Sequence, residues 1–202
     1  MASRPVGRGG GEVRSLVFLV EELSMKEYLD VLLPRVLPAA IPTITIPHEG
    51  KSDLLQSVPR KLQAWNEPHA RFAVLIDQDS SDCRRLKQHI VSLCVQAGKP
   101  DVLVRVVCRA LESWVMGDLH ALGAAFGAGF VRHQNKNPYR APDRCGDPVG
   151  AIRRLQPSYQ KTSGARLVAA HARVEVGVNT SASFHAFVTG VRRLAGLKAR
   201  SR

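Results

Sequence analysis

The sequence predicts an α/β fold: a parallel sheet covered by helices on both faces, followed by a basic, mainly helical C-terminal extension. Three features predict it. Four short runs at 13–20, 41–46, 72–76 and 102–107 read as strands, those at 13–20 and 72–76 as buried ones. Patterns of helical period lie between them, and this alternation favours parallel strands joined by crossover helices. The charge is also uneven: residues 1–130 carry 15 Lys/Arg against 14 Asp/Glu, whereas residues 131–202 carry 14 against 3 and so hold most of the net charge of +12.

Taken in order, residues 1–12 are rich in Gly and Arg and are expected to form a disordered tail. An α/β core is expected over 13–130. Its first strand runs into Glu21 and Glu22. Ser24 is expected to cap a helix over 25–37 whose Tyr28, Leu29, Leu32 and Leu33 share a face, with Pro34 and Pro38 bending or ending it. Pro42 and Pro47 flank the second strand and predict an edge position. A helix opens near Gly50. The tripeptide Gly50-Lys51-Ser52 resembles the end of a phosphate-binding loop, but Thr45 stands where that motif needs its first glycine, which excludes a nucleotide loop of this type. Lys51 at a helix start remains compatible with holding a phosphate and with a simple cap.

The third strand leads through Asp77, Asp79 and Asp82 into a helix over 82–97, with Leu86, Ile90, Leu93 and Cys94 at core spacing and Gly98 and Pro100 as stops. After the fourth strand, Leu111, Val115, Leu119 and Leu122 predict the inward stripe of one further helix. Residues 133–148 form a polar, Pro-bearing connection. Helical patterns follow at 149–155, 164–172 and 183–197. The last has Phe184, Phe187, Val188, Val191 and Leu194 on one face, with Arg192, Arg193 and Lys198 largely elsewhere. The segment 131–197 is expected to pack on the core as the basic extension, leaving 198–202 as a tail.

Bulk properties narrow the class. A chain of 202 residues can bury a proper core. No apolar run approaches the roughly 20 residues of a membrane span, and the N-terminus has no apolar signal-peptide segment, so a cytoplasmic location off the membrane is expected. Cys83, Cys94, Cys108 and Cys145 are widely spaced without a C-x-x-C pair, and they read as reduced, largely buried thiols rather than a zinc site. The basic C-terminal third is compatible with a polyanionic partner, nucleic acid being the commonest, and equally with a solvated basic surface.

The chemistry concentrates at strand ends. Glu21, Asp77, Asp79 and Glu112 each follow a predicted strand, and in a parallel sheet those ends share the edge where open α/β sheets bind ligands. Asp77 and Asp79, two residues apart, are expected to project together if the chain stays extended. Grouped carboxylates repel one another unless they are protonated or a cation holds them. Hard oxygen ligands suit Mg2+ or Mn2+, which act on phosphoryl groups. Several acids in these stretches also have a structural reading: Asp82 and Asp79 as helix caps, Glu22 as a solvated neighbour, Glu112 as an ion pair with Arg109.

Several segments together resemble a known family. Val20-Glu21-Glu22-x-Ser24, Gly50-Lys51, Ile76-Asp77-Gln78-Asp79-x-x-Asp82-Cys83, Cys108-Arg109-x-Leu111-Glu112-x-Trp114, Gly117-Asp118, Tyr159-x-Lys161-x-x-Gly164-Ala165 and Ser183-Phe184-x-x-Phe187 are similar to the bacterial domain of unknown function 4276 family. A strand ending in Glu21 and a later one ending in Asp77-Gln78-Asp79 also resemble the Toprim fold of topoisomerases, DnaG-type primases and OLD-type nucleases. The resemblance implies a Toprim-like core whose glutamate is Glu21, with Asp77 and Asp79 as the metal-binding pair and Glu112 as a further ligand. It also implies Mg2+ or Mn2+ as cofactor, an ATPase encoded nearby as partner, and a setting in DNA repair or phage defence. Many Toprim nucleases carry a glycine after the first glutamate and a second acid shortly beyond; Glu22 and Met25 hold those places here.

The expected function is metal-dependent cleavage or transfer of phosphodiesters in DNA or RNA. Glu21 serves as general acid/base or ligand, Asp77 and Asp79 hold the ion, and Glu112 positions it. Lys51, Arg109, Arg153, Arg154, Lys161, Arg166, Arg192 and Arg193 are the candidate contacts to nucleic acid. The alternative is a non-catalytic adaptor or regulatory subunit of an ATPase or nucleic-acid complex, with Trp65 and Trp114 as interface anchors or core residues. A phosphatase using the same site is a third reading.

Overall fold

The computed structural model describes residue 13 and residues 15–197. The tails expected at 1–12 and 198–202, with Lys198, lie outside the described residues. Four strands, β1 (Ser15–Val20), β2 (Thr43–Pro47), β3 (Ala70–Asp77) and β4 (Leu103–Val107), form an all-parallel sheet in the order β2-β1-β3-β4. Side chains alternate across it with the period of two that a strand imposes. Leu16, Phe18, Val20, Ala73 and Leu75 enter one core, and Val17, Leu19, Phe72, Val74 and Ile76 enter the other. The inner strands are therefore apolar on both faces over Leu16–Val20 and Phe72–Ile76, as the sequence predicts.

One face carries α1 (Leu23–Val36) together with the C-terminal helices, and the other carries α2 (Lys51–Ala64) and α3 (Cys83–Gln96). α1 leads from β1 to β2 on one side, whereas α3 joins β3 to β4 on the opposite face. The strand order thus reverses between β1 and β3, and the crevice at such a switch point is the usual ligand site of an open α/β sheet. β2 takes the expected edge position, with Ile44 exposed.

The helices differ from expectation in two places. Ser24 is not the cap of α1: that position is Glu22, and the Ser24 hydroxyl instead donates to Glu22 Oε1 at 2.5 Å. The helix runs through Pro34 and stops at Leu37, whose extended backbone is what a following Pro38 favours. The stripe from Leu111 to Leu122 is buried, but it belongs to two helices, α4 (Glu112–Met116) and α5 (Leu119–Phe126). The break lies at Gly117 and Asp118. A Cβ on Gly117 would stand 1.9 Å from Asn179 Oδ1, so the chain turns where a distant side chain occupies the groove. Asp118 then caps α5 through the Ala121 N–H and binds the Arg173 guanidinium at 2.7–3.1 Å.

The extension folds as α6 (Pro148–Leu155), α7 (Lys161–Ala169) and α8 (Ala182–Leu194), with short 3-10 turns at Val131–His133 and Pro142–Arg144. Trp114 is its hub. It stacks on Phe187 at 4.9 Å, meets Phe184 edge-on at 5.6 Å, and donates from Nε1 to Ser183 Oγ at 2.7 Å. Trp114 is thus a core residue, and Trp65 rests half-buried against Phe72. Cys94 and Cys145 are buried and Cys83 and Cys108 half-buried, all as free thiols. No helix among the described residues is long and apolar enough to cross a membrane.

Candidate active site

The site lies beyond the carboxyl ends of β1 and β3. Glu21 follows β1 and reaches across the switch point, where its Oε2 accepts the Asp77 N–H at 2.8 Å. Asp77 is the last residue of β3 and is 4% exposed, on the core face shared with Leu75. Its Oδ1 has no hydrogen-bond partner. Glu112, the first residue of α4, is fully buried, and neither of its oxygens has a partner. The expected pair with Arg109 does not form among the described residues. Arg109 precedes the helix in a left-handed conformation (φ 63°), with its N–H directed to Gln78 Oε1.

These acids feel one another. Burial raises the Asp77 carboxyl well above the ordinary carboxylate range, and Glu21, Glu112, Glu22 and Asp79 raise it further. Burial also raises Glu21, against the lowering effects of the Asp77 N–H and Lys51. Glu112 is raised by burial, with Lys161 opposing. Tyr159, buried with an unpartnered hydroxyl, is raised by burial and next by the charge of Glu112. A group of carboxylates that disfavour their own ionised forms marks a functional site more often than a structural one.

Asp79 departs from the expected geometry. The strand ends at Asp77, and Asp79 turns away in a left-handed conformation (φ 52°), so the two aspartates do not project together as an extended chain would require. Asp79 instead pairs with Lys51 Nζ at 2.7 Å, and its field still reaches Asp77 and Glu21. On the opposite flank Lys161 Nζ binds Glu22 Oε1 at 2.8 Å. Burial alone would lower the Lys161 ammonium, but the Glu22 hydrogen bond and the charges of Glu112, Glu22 and Asp77 raise it. Two lysines therefore bracket the acids.

The remaining candidate cations divide into groups. Arg153 and Arg166 join Lys161, Gln160, Thr162 and Ser163 around a groove of about 670 Å3 at the start of α7, where Arg166 also meets Glu27 at 3.3 Å. Arg154 is exposed on α6. Arg192 and Arg193 sit on α8, and Arg193 lines a separate cleft beside β4. Sequence reasoning missed three participants. Tyr159 and Gln78 lie within the recognised motifs without an assigned role. His48 follows β2 at the same sheet edge, so the strand-end rule that found Glu21 extends to it; its Nδ1–H donates to the Val20 carbonyl at 2.8 Å, and its Nε2 is buried without a partner.

Among the described residues, no three His, Cys, Asp or Glu side chains stand close enough to hold a cation as they are. The donor set nevertheless suits a hard cation: the buried oxygens of Asp77 and Glu112 lack hydrogen bonds, burial raises both carboxyls, and the charge of Glu112 raises Asp77 further.

The sequence profile of a family described as "Domain of unknown function (DUF4276)" matches residues 20–192. No curated protein matches the chain. Among solved structures, the C-terminal region of the Burkholderia pseudomallei OLD protein is similar with a TM-score of 0.49 at 15% identity, over 91% of this chain and 98% of that one. The C-terminal region of the Xanthomonas campestris pv. campestris OLD protein, phased with platinum, gives a TM-score of 0.44 at 13% identity, over 91% and 94%. Neither likeness assigns a role to a residue of this chain.

Proposed function

The chain belongs to the family described as domain of unknown function DUF4276, and we propose that it is a Toprim-like enzyme that cleaves or transfers phosphodiesters in nucleic acid with Mg2+ or Mn2+. One observation carries this reading: Asp77, buried at the switch point of a parallel sheet with an unpartnered oxygen, in the field of four other carboxylates. A structural aspartate in that position would have a donor; a ligand kept for a cation would not.

Asp77, Glu112 and Asp79 are the residues to hold the ion. Mg2+ or Mn2+ supplies Lewis acidity and neutralises charge on the phosphoryl group. Glu21, with its carboxyl raised and its orientation fixed by the Asp77 N–H, moves the proton as general acid/base. Lys161 and Lys51 stand ready to exchange Glu22 and Asp79 for phosphate oxygens. Arg153 and Arg166 extend that contact along the α7 groove. A docking module has no use for a buried, self-repelling carboxylate group, so the adaptor reading is the weaker one. The implied ATPase, in a DNA-repair or phage-defence setting, is the component to add if the chain alone is inert.

The test is cleavage of labelled single- and double-stranded DNA and RNA in EDTA, Mg2+ or Mn2+, by the wild type and by Asp77→Asn. Metal-dependent cutting that the variant lacks is the expected result. Cutting by both proteins in EDTA, or no Mn2+ binding by the wild type in calorimetry, would overturn the proposal.

A further inference from the structure

Basic residues outside the site gather at the other edge of the sheet. β4 is the last strand, and a cavity of about 280 Å3 opens beside it, with Lys87 and Val91 of α3 on one face and Gly190, Arg193 and Leu194 of α8 on the other. Arg105 of β4 projects between them. Its Nε donates to the Ala186 carbonyl at 3.1 Å, and its guanidinium lies across Gly190, where an added Cβ would stand 2.7 Å from Nη2. Glycine at that place leaves room for the arginine. Lys87, Arg105 and Arg193 make no ion pair with any described residue, and Asp101 is the one acid in the lining.

Burial lowers the Arg105 guanidinium, and the charge of Arg193 lowers it further. A half-buried guanidinium beside a second one, with no counter-ion among the described residues, leaves a place for an anion between them. The cleft also connects to the acidic site. α3 begins directly after the loop that carries Asp79 and Asp82, and Arg84, exposed near its start, lies one turn before Lys87 on the same side. Cations thus run from the carboxylates along α3 to the β4 edge.

We propose that the Lys87–Arg105–Arg193 cleft is a second phosphate-binding site, which takes the backbone of a nucleic-acid strand whose reacting phosphate lies at Asp77. This rests on the nucleolytic reading above. The strand crosses the carboxyl end of β3, follows the start of α3, and lays a phosphate between Arg105 and Arg193. The cleft reads charge and spacing rather than sequence, because its cations meet phosphate.

The experiment is fluorescence anisotropy with a labelled tetranucleotide and a labelled strand of about 20 nucleotides, which at ~3.4 Å per charge is long enough to span both sites. Ca2+ replaces Mg2+ to hold off cleavage, and the wild type is compared with Lys87→Gln/Arg105→Gln over a salt series. The variant is expected to bind the long strand more weakly with a salt slope lower by about two, so that its deficit changes roughly tenfold between 50 and 200 mM salt. Binding of the tetranucleotide should be the same for both proteins. Lys87→Gln/Arg193→Gln, which alters only exposed side chains, should reproduce the effect if Arg105→Gln perturbs the fold. Equal weakening for both lengths, or none for the long strand, overturns the second site alone. Failure of the wild type to bind either length overturns the nucleolytic reading with it. A melting temperature raised by AMP or inorganic phosphate in the wild type but not the variant, with long-strand affinity unchanged, makes the cleft a small-molecule site and overturns the strand path.

Discussion

Asp77→Asn is expected to stabilise the metal-free protein at neutral pH while abolishing its chemistry. The substitution replaces an ionisable group by a neutral one at nearly constant shape. Asp77 is 4% exposed, its Oδ1 has no donor, and Glu21, Glu112, Glu22 and Asp79 all repel its ionised form. A carboxyl raised in this way contributes stability that is present below its unfolded value, near 4, and is lost as pH rises through the folded value. At pH 7.5, well above the unfolded value, the wild type has given up stability on this account. The asparagine has not, and its amide can donate to a neighbouring carboxylate. An unsatisfied buried polar group costs about 1–3 kcal/mol. For a chain of this length that corresponds to roughly 3–10 °C in melting temperature.

The assay is thermal unfolding of both proteins in EDTA at a series of pH values, repeated with Mn2+. The variant should melt above the wild type at pH 7.5, and the gap should close as pH falls towards the ordinary carboxylate range. Saturating Mn2+ should reverse the order, because an ion at ~100 times its Kd adds about 2.7 kcal/mol to the protein that binds it. An asparagine variant less stable than the wild type in EDTA, at both pH 7.5 and pH 5, refutes the reasoning: Asp77 would then have a satisfying partner, and the argument for a cation would fail with it.

Other outcomes follow from the packing and the flanking cations. Trp114→Ala removes the ring held by Phe184, Phe187 and the Ser183 hydroxyl and should cost about 3–5 kcal/mol in urea unfolding. Arg173→Ala leaves Asp118, whose side chain is 2% exposed, without its bidentate partner, and should destabilise by roughly 3 kcal/mol in the same measurement. Lys161→Met keeps the stem of the side chain but frees Glu22, and should lower single-turnover cleavage about 100-fold or more while leaving the fold, read by circular dichroism, unchanged.

The sheet was legible because its two inner strands are apolar on both faces, a composition that few other elements share. Glu21, Asp77 and Glu112 were legible for a related reason: once parallel strands are inferred, their carboxyl ends must share an edge. What the sequence did not reveal depends on groups far away along the chain. Lys161 meets Glu22 across 139 residues, and a list of basic residues places it no closer to the acids than Arg154. The stripe from Leu111 to Leu122 fits one helix by periodicity, but the Asp118 cap and Asn179, packed where a Cβ of Gly117 would go, mark its division. Arg193 belongs to the same charge excess as Arg153 and Arg166, yet α8 carries it to the cleft beside β4, and α6 and α7 carry the others to the groove that Lys161 lines.

Asp79 illustrates a different limit, because the feature that misled the period-two expectation is itself part of the site. Asp79 and Arg109 are the two non-glycine residues with positive φ among those described, and such conformations cost roughly 1–2 kcal/mol each. They face one another. The Asp79 N–H donates to the Arg109 carbonyl at 2.8 Å, the Gln78 N–H to the Val107 carbonyl at 2.9 Å, and the Arg109 N–H to Gln78 Oε1 at 3.2 Å. The loop after β3 is thereby tied to the loop after β4, and the strain is held by hydrogen bonds that neither loop makes alone. Gln78 is the fastener, which gives a physical reason for an amide between two aspartates: a third carboxylate there could accept the Arg109 N–H but could not also donate to the Ser81 carbonyl, as Gln78 Nε2 does at 3.1 Å. The acids are thus fixed on a braced backbone, with Asp79 turned outward to Lys51 and Asp77 held inward, before any cation or phosphate arrives.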